Sequence, residues 1–300
     1  MAKYDAAGDK VRNSPPAALW IMLAGVVIAV IGFIWCMNTD LKKYAKTENL
    51  YTDQNTTDVK NLEFDFDGAN VDVVKSGDSQ IHVSIENAPE GIYKYGIKDN
   101  KFYISRKKLF SLIKLSGISK IPFLEDIYPE AKIKVEIPDG MTFDKVEIDG
   151  SGSEMKIENI TCDKLDIDNG MGTLKLVECK AKRSELDNGM GKMDIIDCDL
   201  GESDIDNGMG EIKMTGCSLG ETELDNGMGA IKMSGTLNGD IDIDNGMGEV
   251  ELKLENDGED FRISGDKDNV DIKGKIGSKD AEYKISVDNG MGDVDIEFKD

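Results

Sequence analysis

A chain of 300 residues with 39% hydrophobic residues can bury a core, and its formal net charge of −23 excludes nucleic acid as a partner because the phosphates would be repelled. The single histidine, His82, lies in the alternating run 81–85 and is interpreted as a strand residue, which argues against histidine-dependent catalysis. Thirty-two glycines against six prolines indicate glycines at defined positions rather than a disordered linker.

An uncharged apolar run, residues 17–37, follows a short polar tail at residues 1–16. A helix of this run would be about 31 Å long, which matches a hydrocarbon core of about 30 Å. Trp20 and Trp35 lie near its ends, where indole rings favour the membrane boundary. A signal peptide would have a shorter apolar core and a small-residue cleavage site. We therefore predict a transmembrane helix in the cytoplasmic membrane, whose orientation the flanking charges do not set.

Residues 38–59 are polar and unpatterned, and predict a spacer. Residues 60–145 predict irregular β coils, because short alternating apolar runs are bounded by glycines. A basic, apolar insertion interrupts these coils at about residues 93–128. It would cap the open end of the domain, which we favour, or else contact anionic lipid headgroups or a partner protein.

A repeat of 19 residues dominates residues 146–300. The pentapeptide Asp-Asn-Gly-Met-Gly begins at five evenly spaced positions and once more near the C terminus: Asp168, Asp187, Asp206, Asp225, Asp244 and Asp288. Apolar residues align between copies and alternate with polar ones, as in strands with one buried face. One such column is Met155, Leu174, Met193, Ile212, Ile231 and Val250.

Copies of this length bury their apolar face only when they stack on one another. The sequence therefore predicts an all-β fold, a parallel β-solenoid (β-helix) of about 19-residue coils, preceded by one transmembrane α-helix. Asn-Gly between alternating strands is also a strong hairpin signal, so an antiparallel meander is the alternative.

A further column contains cysteines and has the same spacing: Ile160, Cys179, Cys198, Cys217 and Thr236. Stacked cysteines lie near disulfide-bridging distance and invite a metal or disulfide interpretation. With no Cys-x-x-Cys pair and no accompanying histidine, we favour buried thiols.

Two acidic columns are predicted to point outward, and their mutual repulsion would be relieved by a hard cation such as Ca²⁺. The candidate calcium ligands are Asp166, Asp168, Glu185, Asp187, Asp204, Asp206, Glu223, Asp225, Asp242 and Asp244. A solvated surface with screened charge is the alternative, and we favour it. No catalytic residue and no other cofactor is predicted.

Three stretches carry a family resemblance: residues 62–86, residues 133–140 (IKVEIPDG), and residues 146–152 leading into the glycine-rich repeats. On these the chain resembles the bacterial family known as putative adhesins, which are built from β-strand repeats, over most of residues 60–300. The resemblance implies a solenoid-like β domain outside the cytoplasmic membrane and one N-terminal membrane helix. That family has no assigned activity, so no catalytic residue is implied.

These observations predict a membrane-anchored, extracytoplasmic binding (adhesin-like) or scaffolding module of the bacterial cell envelope, with an unidentified envelope or protein ligand and no enzymatic activity. Two alternatives stay open. A cytoplasmic-facing scaffold similar to bactofilins would polymerise end to end, and a carbohydrate-active β-helix enzyme would use clustered carboxylates.

Overall fold

The computed structural model describes residues 47–55, 58–66, 68–89, 91–106, 131–151, 153–265 and 270–299. The transmembrane helix predicted at residues 17–37 and the tail at residues 1–16 lie outside these ranges, as do residues 107–128 of the predicted insertion. Within the described ranges, no helix has the length and apolarity that a bilayer span requires.

The described residues form a single 20-stranded sheet. The strands before the regular repeats are β1 (Thr47–Asn55), β2 (Asn61–Asp65), β3 (Asn70–Lys75), β4 (Gln80–Pro89), β5 (Tyr93–Lys98), β6 (Lys101–Arg106), β7 (Lys132–Ile137), β8 (Thr142–Gly150) and β9 (Ser153–Glu158). The remaining strands are β10 (Thr161–Val177), β11 (Lys180–Ile196), β12 (Asp199–Leu219), β13 (Thr222–Met228), β14 (Ile231–Leu237), β15 (Ile241–Met247), β16 (Val250–Leu254), β17 (Phe261–Gly265), β18 (Val270–Lys273), β19 (Tyr283–Met291) and β20 (Val294–Phe298). A 3-10 turn, Gly258–Asp260, precedes β17.

Equivalent residues of successive repeats lie opposite one another in parallel strands. β10 pairs with β11 in this way, so that Leu174 lies opposite Met193, and β11 pairs with β12 in the same register. The all-β and solenoid-like predictions are therefore confirmed, and the repeats do not form the alternative antiparallel meander. Among the described strands, antiparallel pairing is confined to β1–β4, β4–β7 and β5–β6.

The core is built from the apolar columns that the repeat predicts. The column from Met155 to Val250 is buried throughout. A second buried column lies two residues further along each copy: Ile157, Leu176, Ile195, Met214, Met233 and Leu252. A third precedes the motif aspartates by one residue: Ile167, Leu186, Ile205, Leu224 and Ile243. Burying an aliphatic side chain contributes about 1.5–3 kcal/mol, and a coil gains this only when neighbouring coils cover it from both sides. The stack is thus stabilised mainly by contacts between coils.

At both ends, the coils do not stack in sequence order. β19 lies between β15 and β17, and β20 lies between β16 and β18. The last coil of the chain is therefore inserted into the stack, and β17 and β18 are the outermost described strands at this end. At the other end β2 lies between β6 and β8, and β3 between β7 and β9. The insertion of β19 and β20 explains the spacing of 44 residues between the last two motifs, whose asparagines Asn245 and Asn289 are neighbours.

Two segments before the repeats differ from their predictions. Residues 47–55, within the predicted spacer 38–59, form β1, which pairs with β4. An edge strand of mostly polar residues carries no alternating pattern, which is why the sequence does not reveal it. Residues 93–106, assigned to the insertion, form the β5–β6 hairpin, whose second strand also pairs with β2 and so belongs to the stack.

Glycine is required at the corner that follows each motif asparagine. The second motif glycine has a positive φ, for example +134° at Gly191 and +141° at Gly210. A Cβ atom on Gly210 would overlap the carbonyl oxygen of Gly191 in the adjacent coil. The glycine thus combines a left-handed backbone with close approach of two coils. Asparagine tolerates positive φ better than most residues, but the described motif asparagines do not adopt it.

The motif asparagines instead form a ladder inside the core. Each side-chain amide nitrogen donates a hydrogen bond to the amide oxygen of the asparagine in the next coil, over distances of 2.7–3.0 Å. The ladder consists of Asn169, Asn188, Asn207, Asn226, Asn245 and Asn289. Asn169 stands at its end, and its amide oxygen is buried without a partner. A buried amide column of this kind fixes the register, because a shifted strand would leave amides unpaired.

We predict that Asn207→Ala lowers the free energy of unfolding by about 2–4 kcal/mol, since it leaves the amides of Asn188 and Asn226 each without one buried partner. The matched control Asn169→Ala removes a single bond at the end of the ladder and should cost about 1–2 kcal/mol. Denaturant titration followed by circular dichroism measures both. Equal costs would show that the ladder does not stabilise the stack.

Candidate binding surface

The five motif positions divide into three that packing explains and two that it does not. The asparagine is buried in the ladder, and both glycines lie against the backbone of the neighbouring coil. The aspartate and the methionine point outward instead. The five methionines from Met171 to Met247 are 40–43% exposed, and Met291 at the end of the column is 64% exposed. Packing within the chain therefore gives no reason for these two residue types to recur in every copy.

The aspartate and methionine columns are exposed at neighbouring positions of each motif. Together with the acidic column two residues before the motif aspartate, we name them the acid–methionine face. Its first acidic column is Asp166, Glu185, Asp204, Glu223 and Asp242. Its second acidic column is Asp168, Asp187, Asp206, Asp225, Asp244 and Asp288. Its methionine column is Met171, Met190, Met209, Met228, Met247 and Met291.

The acidic columns place like charges opposite one another in adjacent strands, as in the pairs Asp168–Asp187 and Asp187–Asp206. The pKa of Asp187 is raised by partial burial and then by the charges of Asp206 and Asp168. The pKa values of Asp204 and Asp225 are raised for the same reasons, with Asp206 the largest charge contribution to each. The face therefore carries a concentrated negative field.

Basic residues reach the acidic columns mainly near their ends. Lys145 and Lys164 both lie 3.3 Å from Asp166, and Lys164 also lies 2.8 Å from Glu185. At the other end Lys284 lies 3.7 Å from Asp242. Among the described residues, no ion pair reaches the central aspartates, so the negative charge is least compensated at the middle of the face.

A groove of about 570 Å³ runs along the coils beside the first acidic column. Its floor includes Ser184, Ser203 and Thr222, in a column that larger residues occupy at Leu165 and Ile241. Ser184 donates to Ser203 at 2.9 Å, and the Ser203 and Thr222 hydroxyls donate to backbone carbonyls. The groove is thus a polar depression in which half of the lining residues are carboxylates, and it lies along the first acidic column of the acid–methionine face.

The cysteine column lies inside the stack. Cys179, Cys198 and Cys217 are free and buried, as predicted. Cys162 lies outside this column, opposite Ala181, and is also free and buried. Burial raises the pKa of Cys162 to about 12 and that of Cys217 to about 11, so both remain thiols at neutral pH.

The predicted continuation of this column to Thr236 is wrong. Cys217 lies opposite Gly235, because the register shifts by one residue between Thr215 and Cys217. Gly216, with φ +66°, supplies the extra residue of this bulge.

The structure places the ten predicted calcium ligands together in the two acidic columns. In the part of the chain that it describes, no three or more His, Cys, Asp or Glu side chains gather in an arrangement that could hold a metal ion. Calcium binding at these residues stays a prediction. The methionine column was not among the predicted site residues, although its signal, an identical residue in all six motifs, was already visible in the sequence.

A model of the family described as Toastrack DUF4097, a domain of unknown function, matches residues 59–297. The chain belongs to this family. The match spans the early coils and the regular repeats, so the acid–methionine face lies within the part of the chain that the Toastrack DUF4097 model matches. No match was found among curated proteins.

Three solved structures are similar to this Toastrack DUF4097 chain. A putative adhesin from Parabacteroides distasonis has 11% identity and a TM-score of 0.47, with 84% of this chain and 98% of that chain covered. A putative lipid binding protein from the same species has 13% identity, the same TM-score and the same coverage. A putative adhesin from Bacteroides fragilis has 15% identity and a TM-score of 0.42, with 85% and 99% covered.

We predict that Asp206→Asn stabilises the protein at pH 7 by a few tenths of a kcal/mol, because it removes a like charge opposite Asp187 and Asp225. The raised pKa values mean that the folded state holds more protons than the unfolded state just above the usual pKa of 3.8. The contribution of these carboxyls to stability therefore falls as pH rises through that window, and the repulsion is complete at neutral pH.

The gain from Asp206→Asn should accordingly vanish near pH 3 and shrink in high salt, as denaturant titrations at several pH values would measure. Asp199→Asn, at an exposed site outside the acidic columns, is the matched control and should show no such pH dependence. A gain that is the same at pH 3 and pH 7 would contradict the assignment to charge repulsion.

Proposed function

We propose that the chain is a membrane-anchored, extracytoplasmic binding module of the bacterial cell envelope, held by residues 17–37. Its ligand-binding surface is the acid–methionine face. The observation that carries this proposal is that aspartate and methionine recur at the exposed motif positions, where packing does not select them. A neighbouring outward column does not repeat one residue type. The position two residues after the methionine is Thr173, Lys192 and Glu211 in three successive coils.

The stack is suited to repetitive binding. Parallel strands lie about 4.8 Å apart, so each coil presents the same pair of side chains at a fixed interval along the domain. The asparagine ladder and the glycine corners hold that interval. A ligand with a repeating or extended structure, such as an envelope polymer, would contact several coils at once and gain affinity through multivalency.

A retention experiment tests the surface. The full chain in lipid nanodiscs is incubated with purified cell walls, envelope polysaccharide or liposomes, and the bound fraction is measured after sedimentation. The face variant combines Asp187→Asn, Asp206→Asn and Asp225→Asn with Met190→Ser, Met209→Ser and Met228→Ser. We expect one material to retain the wild type, with retention by the face variant reduced at least about ten-fold, since several contacts are lost together.

The matched control replaces three lysines of one outward column on the following strands, Lys175→Ser, Lys213→Ser and Lys232→Ser, and should retain the ligand within about two-fold of the wild type. Equal retention of the face variant and the wild type would reject this surface, and no retention of the wild type by any of the three materials would reject the proposed function.

The location has its own test. In intact cells that carry a C-terminal epitope tag, we expect added protease to digest the β domain, because residues 17–37 would place it outside the membrane. A periplasmic marker and a cytoplasmic marker report which compartment the protease reached. If the periplasmic marker is digested while the β domain and the cytoplasmic marker both stay intact, the proposal is contradicted. That result would favour the polymerising cytoplasmic scaffold.

A further inference from the structure

We propose that the exposed methionine column binds soft monovalent metal cations of the Cu(I) and Ag(I) class, each held between the thioethers of two adjacent coils. This inference rests on the proposed function, because it names a ligand class for the same acid–methionine face. The column is Met171, Met190, Met209, Met228, Met247 and Met291.

The chain uses methionine in two distinct ways. Met193, Met214 and Met233 are at most 2% exposed and fill the core, where an unbranched thioether packs as other apolar residues do. The motif methionines are at least 40% exposed and keep a flexible apolar side chain in water. A charged or hydroxyl side chain would be more soluble at that position, so the thioether itself is the feature that the repeat retains.

The spacing of the column suits a cation between two sulfur atoms. Met190 lies directly opposite Met171 on one side and Met209 on the other, in parallel strands about 4.8 Å apart. A metal–sulfur bond to a borderline-soft ion is about 2.3 Å long, so a cation midway between two sulfurs needs them about 4.6 Å apart. Adjacent methionines can meet this requirement without movement of the backbone.

The access to the sulfur atoms is also favourable. In each motif a glycine precedes the methionine and another follows it, so the neighbouring columns have no side chains that could cover the thioethers. The glycines at these positions lie against the next coil and leave no room for a Cβ atom, as at Gly189 and Gly191. The methionines therefore stand on a ridge open to solvent.

The donor chemistry selects the class of ion. Thioethers are soft, neutral ligands that favour Cu(I), whereas Ca²⁺ and Mg²⁺ prefer oxygen and Zn²⁺ prefers thiolate or imidazole. The four described cysteines are buried inside the stack and do not line this ridge.

The charge beside the ridge favours a cation over an apolar partner. The motif aspartates, such as Asp206 and Asp225, precede the methionines by three residues. At the centre of the face, their negative charge is not neutralised by ion pairs with described basic residues, and like charges raise the pKa of Asp225. An apolar partner that covered the ridge would have to desolvate these carboxylates, which costs free energy. A cation gains from the same field, because the local concentration of positive ions is raised there.

A titration of the full chain in nanodiscs with Ag(I), in chloride-free buffer and followed by calorimetry, tests the proposal. Anaerobic competition with a chromophoric Cu(I) chelator gives the affinity for Cu(I). We expect the wild type to bind about three ions, because six thioethers form three pairs when each thioether binds one ion only. The variant Met190→Leu, Met209→Leu and Met228→Leu keeps only the Met247–Met291 pair and should bind about one.

The matched control Met193→Leu, Met214→Leu and Met233→Leu removes the same number of thioethers from the core and should bind as the wild type does. Asp187→Asn, Asp206→Asn and Asp225→Asn together should weaken binding several-fold and reduce its salt dependence without changing the stoichiometry. X-ray absorption of the Cu(I) complex should show sulfur neighbours at about 2.3 Å.

The proposal is overturned if the variant Met190→Leu, Met209→Leu and Met228→Leu binds as many ions as the wild type. It is also overturned if the wild type binds no Ag(I) at micromolar concentration. The outcome is separable from that of the proposed function. Failure to bind Ag(I), with envelope retention still lost in the face variant, rejects only the ion class. Binding of Ag(I) together with unchanged envelope retention in the face variant rejects the envelope-binding surface and keeps the metal site.

Discussion

The stacking of equivalent residues in parallel register is the constraint on which the rest of the structure depends. Every core column, the asparagine ladder and the acid–methionine face exist only because residue i of one coil lies opposite its counterpart in the next. Two features hold this register: the buried amides, which would be unpaired after a slip, and the glycine corners, which let the coils approach closely. The same alignment places like charges opposite one another, so electrostatic repulsion between aspartates remains on one surface.

Much of this architecture follows from the sequence because apolar periodicity and burial have the same physical cause. The columns from Met155 and Ile157 are buried as their alternation predicts. The role of the asparagines was missed, since Asn-Gly is usually a turn signal and the sequence does not reveal that Asn207 points inward. The shift that places Gly235 beside Cys217 was missed as well, because a bulge changes the register within a strand that otherwise keeps its pattern.

The candidate surface was only half predictable. Acidic residues on strands point outward as a rule, so the two acidic columns could be foreseen. The recurrence of the motif methionine is visible in the sequence, but its exposure is not, because methionine is usually a core residue and only the structure separates Met209 from Met214. The order of the terminal coils was also beyond local patterns, since pairing of β19 with both β15 and β17 depends on how the whole stack is closed.

This closure has a mechanical consequence when a force is applied at the ends of the chain. A force applied at residue 299 must separate β20 from β16 and from β18 at the same time, rather than peel a single outer strand. At the other end of the described domain, β1 is an edge strand that pairs with β4 and can detach first, whereas β2 behind it is held between two neighbours. The domain should therefore resist unravelling from its C-terminal end under shear, because the rupture of that coil requires the simultaneous loss of two strand ladders.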